Sequence, residues 1–217
     1  MESLRRDLRG NLKKILGHLH YNLKIVFSLN ILAAFVLVAV TPFLFSLVRL
    51  EYSNIATVGE LYLSVIGIIL LPNIINIEDI DNIKEVIYIR KTPHIITTIL
   101  RLAIIIIFMF ILISSIILLA KLQQGNFPFW EISLGSFISS LYFGIIGITV
   151  VNITKSLPSG YLIPFAYYAF EFSTRGKYTK DFFVFSLLNE SFIEKGNLLL
   201  IIGGLLIVNL VIIYKRS

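Results

Sequence analysis

Glu60 is the one ionisable residue inside the long apolar stretches of this chain, lying in the run at residues 55–77. A carboxylate within a bilayer is costly and often functional, but about one and a half helical turns from the end of a span it can also reach interfacial water. Both readings stay open for Glu60. Asn30 and Asn209 lie deeper, in the runs at 25–48 and 198–214, where an amide ordinarily bonds a neighbouring helix. Helix-to-helix bonding is preferred there over contact with a substrate. Asn30 and Glu60 are still the residues on which a translocation path would draw. Ser136, Ser140 and Gly144 recur every four residues, a small-residue face for close helix packing or for a dimer seam.

The chemistry of intramembrane enzymes is missing. His18, His20 and His94 all fall outside the apolar runs, so a Ser–His dyad within the bilayer cannot be built. His18 and His20 are two residues apart and point to different sides of a helix, a poor arrangement for a metal pair. Neither H-E-x-x-H nor a G-x-x-x-x-G-K-S/T phosphate loop occurs. Cysteine is absent, which removes disulfides, thiolate metal sites and thiol nucleophiles. The expectation is a chain that is not an enzyme, with no metal or cofactor of its own, serving a transport process powered elsewhere.

The elements that must position these residues are set by composition. Of 217 residues, 57% are apolar and 15% charged, against about 45–50% and about 25% in soluble domains. Mean hydropathy is +0.87. Six runs are long enough to predict membrane helices, at residues 25–48, 55–77, 102–120, 132–153, 157–170 and 198–214. The fifth is short and carries Pro158, Gly160 and Pro164, so it is expected to be tilted, packed or partly re-entrant. The expected fold is an all-α polytopic membrane protein, residues 1–217 forming a single transmembrane domain.

Sidedness follows from Lys and Arg. With six crossings and a cytoplasmic N-terminus, thirteen of the nineteen basic residues lie inside and six outside: Arg49, Lys121, Arg175, Lys177, Lys180 and Lys195. Both termini are then cytoplasmic. The net charge of +6 matches an anionic inner leaflet and calls for no nucleic acid. In residues 1–24, Leu4, Leu8, Leu12, Ile15, Leu16, Leu19 and Leu23 share one helical face, away from Arg6, Arg9, Lys13, His20 and Lys24. That pattern predicts an amphipathic helix on the inner membrane surface, or one packed on a partner protein. The apolar run after it is too long for a signal peptide, and no A-x-A site follows.

Two loops stand out. Between the second and third runs, Ile80, Ile83, Val86, Ile87 and Ile89 recur at helical spacing before a turn at Thr92-Pro93, predicting a short amphipathic helix in the cytoplasm. Between the fifth and sixth runs, residues 171–197 are too interrupted to cross and too apolar to be freely solvated. They are read as one or two short helices resting in or dipping into the outer interface, and Trp130, Tyr161, Tyr167 and Tyr168 as interfacial aromatics.

This layout resembles the type-2 ATP-binding-cassette (ABC) permease subunit of bacterial exporters over nearly the whole chain: an amphipathic elbow at 1–24, six spans, a loop between spans two and three, and apolar helices between spans five and six. The local signature is Glu78 followed by Glu85-Val-Ile-Tyr-Ile-Arg-Lys-Thr-Pro93-His94, similar to the family's coupling helix. The resemblance implies a bacterial plasma-membrane subunit whose Glu78, Glu85, Arg90, Lys91, Pro93 and His94 meet a separate ATPase, which binds ATP and Mg. It also implies a second permease, identical or related, and export of an amphipathic or lipid-like substrate such as an antimicrobial peptide. The rivals are the solute-binding membrane subunit of an energy-coupling-factor importer, which needs a polar pocket near the outer face seeded by Glu60 and Asn30, and a non-transport membrane scaffold or immunity protein.

Overall fold

Long runs of Ile, Leu, Val and Phe without charge leave the backbone one good way to satisfy its own polar groups in lipid, the α-helix. The computed structural model describes residues 29–74 and 94–216, and among them every regular element is helical. Helix α1 covers Leu29–Leu44, and α2 covers Tyr52–Leu70. Within α2, α-helix at Tyr52–Thr57 gives way to a π-helical stretch at Val58–Leu63 and resumes at Val65–Leu70. Helices α3, α4, α5 and α6 are His94–Leu122, Phe129–Thr154, Leu157–Thr174 and Ile193–Arg216. Two 3-10 turns, Lys180–Phe182 and Ser186–Asn189, lie between α5 and α6.

Four of these helices contain segments long and apolar enough to cross a membrane: Tyr52–Leu70, Thr97–Leu122, Phe129–Thr154 and Ile193–Lys215. The chain therefore reads as a membrane protein. The six predicted crossings are not all matched: Leu29–Leu44 is a shorter apolar helix, and α5 is diluted by Pro158, Ser159, Gly160 and Glu171. The predicted ends also move. Helix α3 starts at His94, directly after Pro93, so Arg101 is a buried helical residue instead of part of a cytoplasmic loop. Helix α6 starts five residues before the predicted run and takes in Lys195. The proposed elbow at 1–24 and the cytoplasmic helix before Pro93 lie outside the described residues.

Helix α4 is the centre of the bundle, packed on α2, α3, α5 and α6, and 72% of its span is buried, against 33% for α3 and 22% for α6. That explains why α4 has no apolar stripe: a helix surrounded by others needs none. The outer surface is a belt of exposed Leu32, Phe35, Ile107, Ile111, Leu162, Phe165, Leu200 and Ile207, the surface a hydrocarbon solvent requires.

The loops after α1 and α3 lie together. Arg49 N donates to Gln123 O at 3.0 Å, Asn126 N to Leu50 O at 2.9 Å, and Glu51 forms an isolated parallel bridge with Asn126. The turn at 186–189 packs on the first turns of α2. Three connections, 45–51, 123–128 and 175–192, therefore share one end of the bundle. This is the end to which the charge count assigns the outer loops. Helix α5 joins the opposite end to this one.

Candidate functional site

Eight residues, or about 12 Å, into α2, the backbone is π-helical and presents Glu60, which is fully buried. Beside it lies Lys195, also fully buried, in the first turn of α6. The Lys195 ammonium donates to Glu60 Oε1, to Ser139 Oγ at 2.7 Å and to the Val184 carbonyl at 2.5 Å. Ser139 Oγ lies 3.2 Å from Glu60 Oε1 and 3.0 Å from the Val184 carbonyl. Four elements thus converge on one ion pair: α2, α4, α6 and the segment between α5 and α6. The Leu188 backbone amide lies alongside the same carboxylate while donating to Phe185 O at 3.2 Å.

The 175–192 segment closes this site from the loop side. The two short helical turns expected there are present, and the stretch between them, with the second turn, is a plug: Phe183, Val184, Phe185 and Leu187 are buried in the bundle. Phe185 sits against Phe143 and Tyr168, ring centroids 5.7 and 5.2 Å away. Leu187 covers Gly135, where a Cβ would lie 2.6 Å from its Cδ1. The plug is tied back to α5 by a second buried carboxylate, Glu171, which accepts from Tyr167 Oη at 2.7 Å and Thr179 Oγ1 at 3.1 Å. Tyr167 and Tyr168 turn inward, Tyr168 donating to Leu61 O at 2.7 Å, whereas Trp130 stays 65% exposed near the start of α4, as an interfacial ring would.

Glu60 does not reach water, and it is not the only ionisable group inside the bundle: Lys195, Glu171 and Arg101 are buried with it. Asn30 lies apart from Glu60, towards the opposite end, donating to Ile69 O at 3.0 Å and Tyr161 Oη at 2.7 Å. The two predicted path residues are therefore held at different depths, and Asn30 bonds α1 to α2 and α5. Asn209 does the same: it accepts from Asn152 at 2.7 Å and donates to Thr149 Oγ1 at 2.8 Å, joining α6 to α4.

The Ser136, Ser140 and Gly144 stripe is spent within the chain, against α2. A Cβ on Gly59 would lie 2.0 Å from Ser136 Oγ, and one on Gly67 would lie 1.8 Å from the Ser140 carbonyl. Gly67 N donates to Ser140 Oγ at 2.8 Å, and Gly144 abuts Leu71 and Gly67. This face packs helices within one chain and is not free to form a dimer seam. Glu78, Glu85, Arg90, Lys91 and Pro93 lie outside the described residues, and His94 marks the first residue of α3.

Chemically, the site is a buried amine–carboxyl pair completed by a hydroxyl and a peptide carbonyl. Among the described residues no group of three or more His, Cys, Asp or Glu is arranged to hold a metal ion. The chain matches no family model, no curated protein and no solved structure.

Proposed function

We propose that this chain is the membrane-spanning permease subunit of an ABC exporter, moving an amphipathic or lipid-like substrate with ATP hydrolysed by a separate subunit. The observation that carries this reading is the apolar segment between the fifth and sixth helices, folded as short turns into one end of a six-helix bundle. An all-helical chain with an apolar outer belt and a 72% buried central helix accords with it. Helix α2 ends and helix α3 begins at the end opposite the plug, the end at which this reading has an ATPase dock. In this account two permease subunits pair with two ATPases. ATP closes the ATPases, the connections bearing Glu78, Glu85, Arg90, Lys91, Pro93 and His94 follow, and the helices rock to open a path. Coupling of this kind requires contacts that differ between the two states.

The importer alternative needs a polar pocket seeded by Glu60 and Asn30. Asn30 is bonded to α2 and α5, Glu60 to Lys195, which favours the exporter. The test is affinity purification of tagged full-length chain in gentle detergent. Recovery of a nucleotide-binding subunit in near-equal amount is expected; recovery of none, or tight retention of a small solute by the chain alone, overturns the proposal.

A further inference from the structure

We infer that the Glu60–Lys195 pair is a latch: it holds the 183–188 plug shut, and this end of the molecule opens by breaking it. The plug has ample apolar contact without a charge, since Val184, Phe185 and Leu187 are fully buried. Burying an ion pair is seldom the most stable way to fill such a volume, and its best-attested role is to specify one arrangement or to switch between two. Here the pair sits where a switch would have leverage. The Val184 carbonyl, in the middle of the plug, accepts from Lys195 and lies 3.0 Å from Ser139 Oγ, so losing the pair unties plug, α2, α4 and α6 together.

Two independent features fit this role. Glu60 lies in the π-helical stretch of α2, a geometry that costs regular hydrogen bonding, is rare, and concentrates at functional positions. The surroundings also carry unspent polar capacity: Glu60 Oε2 and the hydroxyls of Ser64, Ser136 and Ser186 are buried without a hydrogen-bond partner. Ser64 is one turn from Glu60, Ser136 abuts the neighbouring Gly59, and Ser186 belongs to the plug. Such groups can take up water or a shifted side chain when the pair separates. The latch holds whether or not an ATPase drives the opening, so its failure and that of the exporter assignment are separable.

The absence of cysteine makes the test clean. A single Leu187→Cys reports on the plug, and a single Ile145→Cys, fully buried in α4, reports on the core. Both are labelled with a charged, water-soluble maleimide on the full chain in lipid nanodiscs. Labelling then follows the population of the opened state. The expected result is slow reaction at both positions in the otherwise unchanged chain. E60Q or K195M should accelerate labelling at position 187 by at least about tenfold with position 145 still protected. The charge exchange E60K/K195E should bring position 187 back to within about threefold of the starting rate. Unchanged labelling in the single variants, equal opening of both reporters, or no recovery on exchange overturns the latch. If the single variants do not accumulate, E60Q/K195M buries no charge and decides it by the same two reporters.

Discussion

The Lys195 ammonium meets the Glu60 carboxylate across 135 residues of sequence, with both side chains fully buried. Removing one partner leaves the other charge buried and unpaired, which costs about 3–5 kcal/mol. Lys195→Ala should therefore lower unfolding stability in detergent by that amount. Lys177→Ala, at an exposed position of the connection before α6, should stay within about 0.5 kcal/mol of the unchanged chain. Denaturant titration followed by tryptophan fluorescence, with Trp130 as the single tryptophan, measures both. Equal effects would mean that Lys195 is solvated.

The plug makes a graded prediction. Phe185 is fully buried between Phe143, Tyr168 and Phe183, so Phe185→Ala should cost about 3–5 kcal/mol. Phe182, three residues earlier and 45% exposed, should cost less than about 1 kcal/mol when changed to Ala. Similar small losses at both would place the segment at the interface after all.

Close packing of α2 on α4 can be tested at one atom. A Cβ on Gly67 would sit 1.8 Å from the Ser140 carbonyl, a backbone atom that cannot swing away. Gly67→Ala should destabilise by about 2–3 kcal/mol or more. Gly204→Ala on α6, where nothing lies within 4 Å, should instead stabilise by about 0.5–1 kcal/mol, because alanine is the better helix former. The same denaturant titration checks both signs.

Asn209 links α6 to α4 through Asn152 and Thr149. Interhelical bonds of this kind contribute about 0.6–2 kcal/mol in membranes, so Asn209→Leu should cost roughly that much. A transport defect with no loss of stability would point to substrate contact instead.

Where a single run of residues carried the information, the sequence was readable. Long aliphatic stretches located the four helices long and apolar enough to cross a membrane, because lipid leaves an apolar backbone little choice but to coil. The spacing of Ser136, Ser140 and Gly144 revealed a close-packing face, though not that Gly59 and Gly67 of α2 would fill it. Glu60 stood out as a lone carboxylate. Its partner did not, since Lys195 follows Glu190 and Glu194 and reads as part of a solvated loop. Only the long-range packing of α6 on α4 brings it inside. Glu171 and the plug were hidden for the same reason: an apolar segment with polar flanks looks alike whether it lies on a membrane surface or folds into a bundle, and contacts from α4 and α5 decide between them.

The proposed partnership is tested most directly at the predicted coupling helix. Tagged full-length chain carrying E85K or R90E would be purified in gentle detergent beside the unchanged chain, and the copurified nucleotide-binding subunit quantified, with unfolding temperature measured to verify the fold. The exporter account predicts an ATPase with the unchanged chain and at least about tenfold less with either reversal, at unaltered stability. Equal recovery with the reversals, or no ATPase with the unchanged chain, would contradict it.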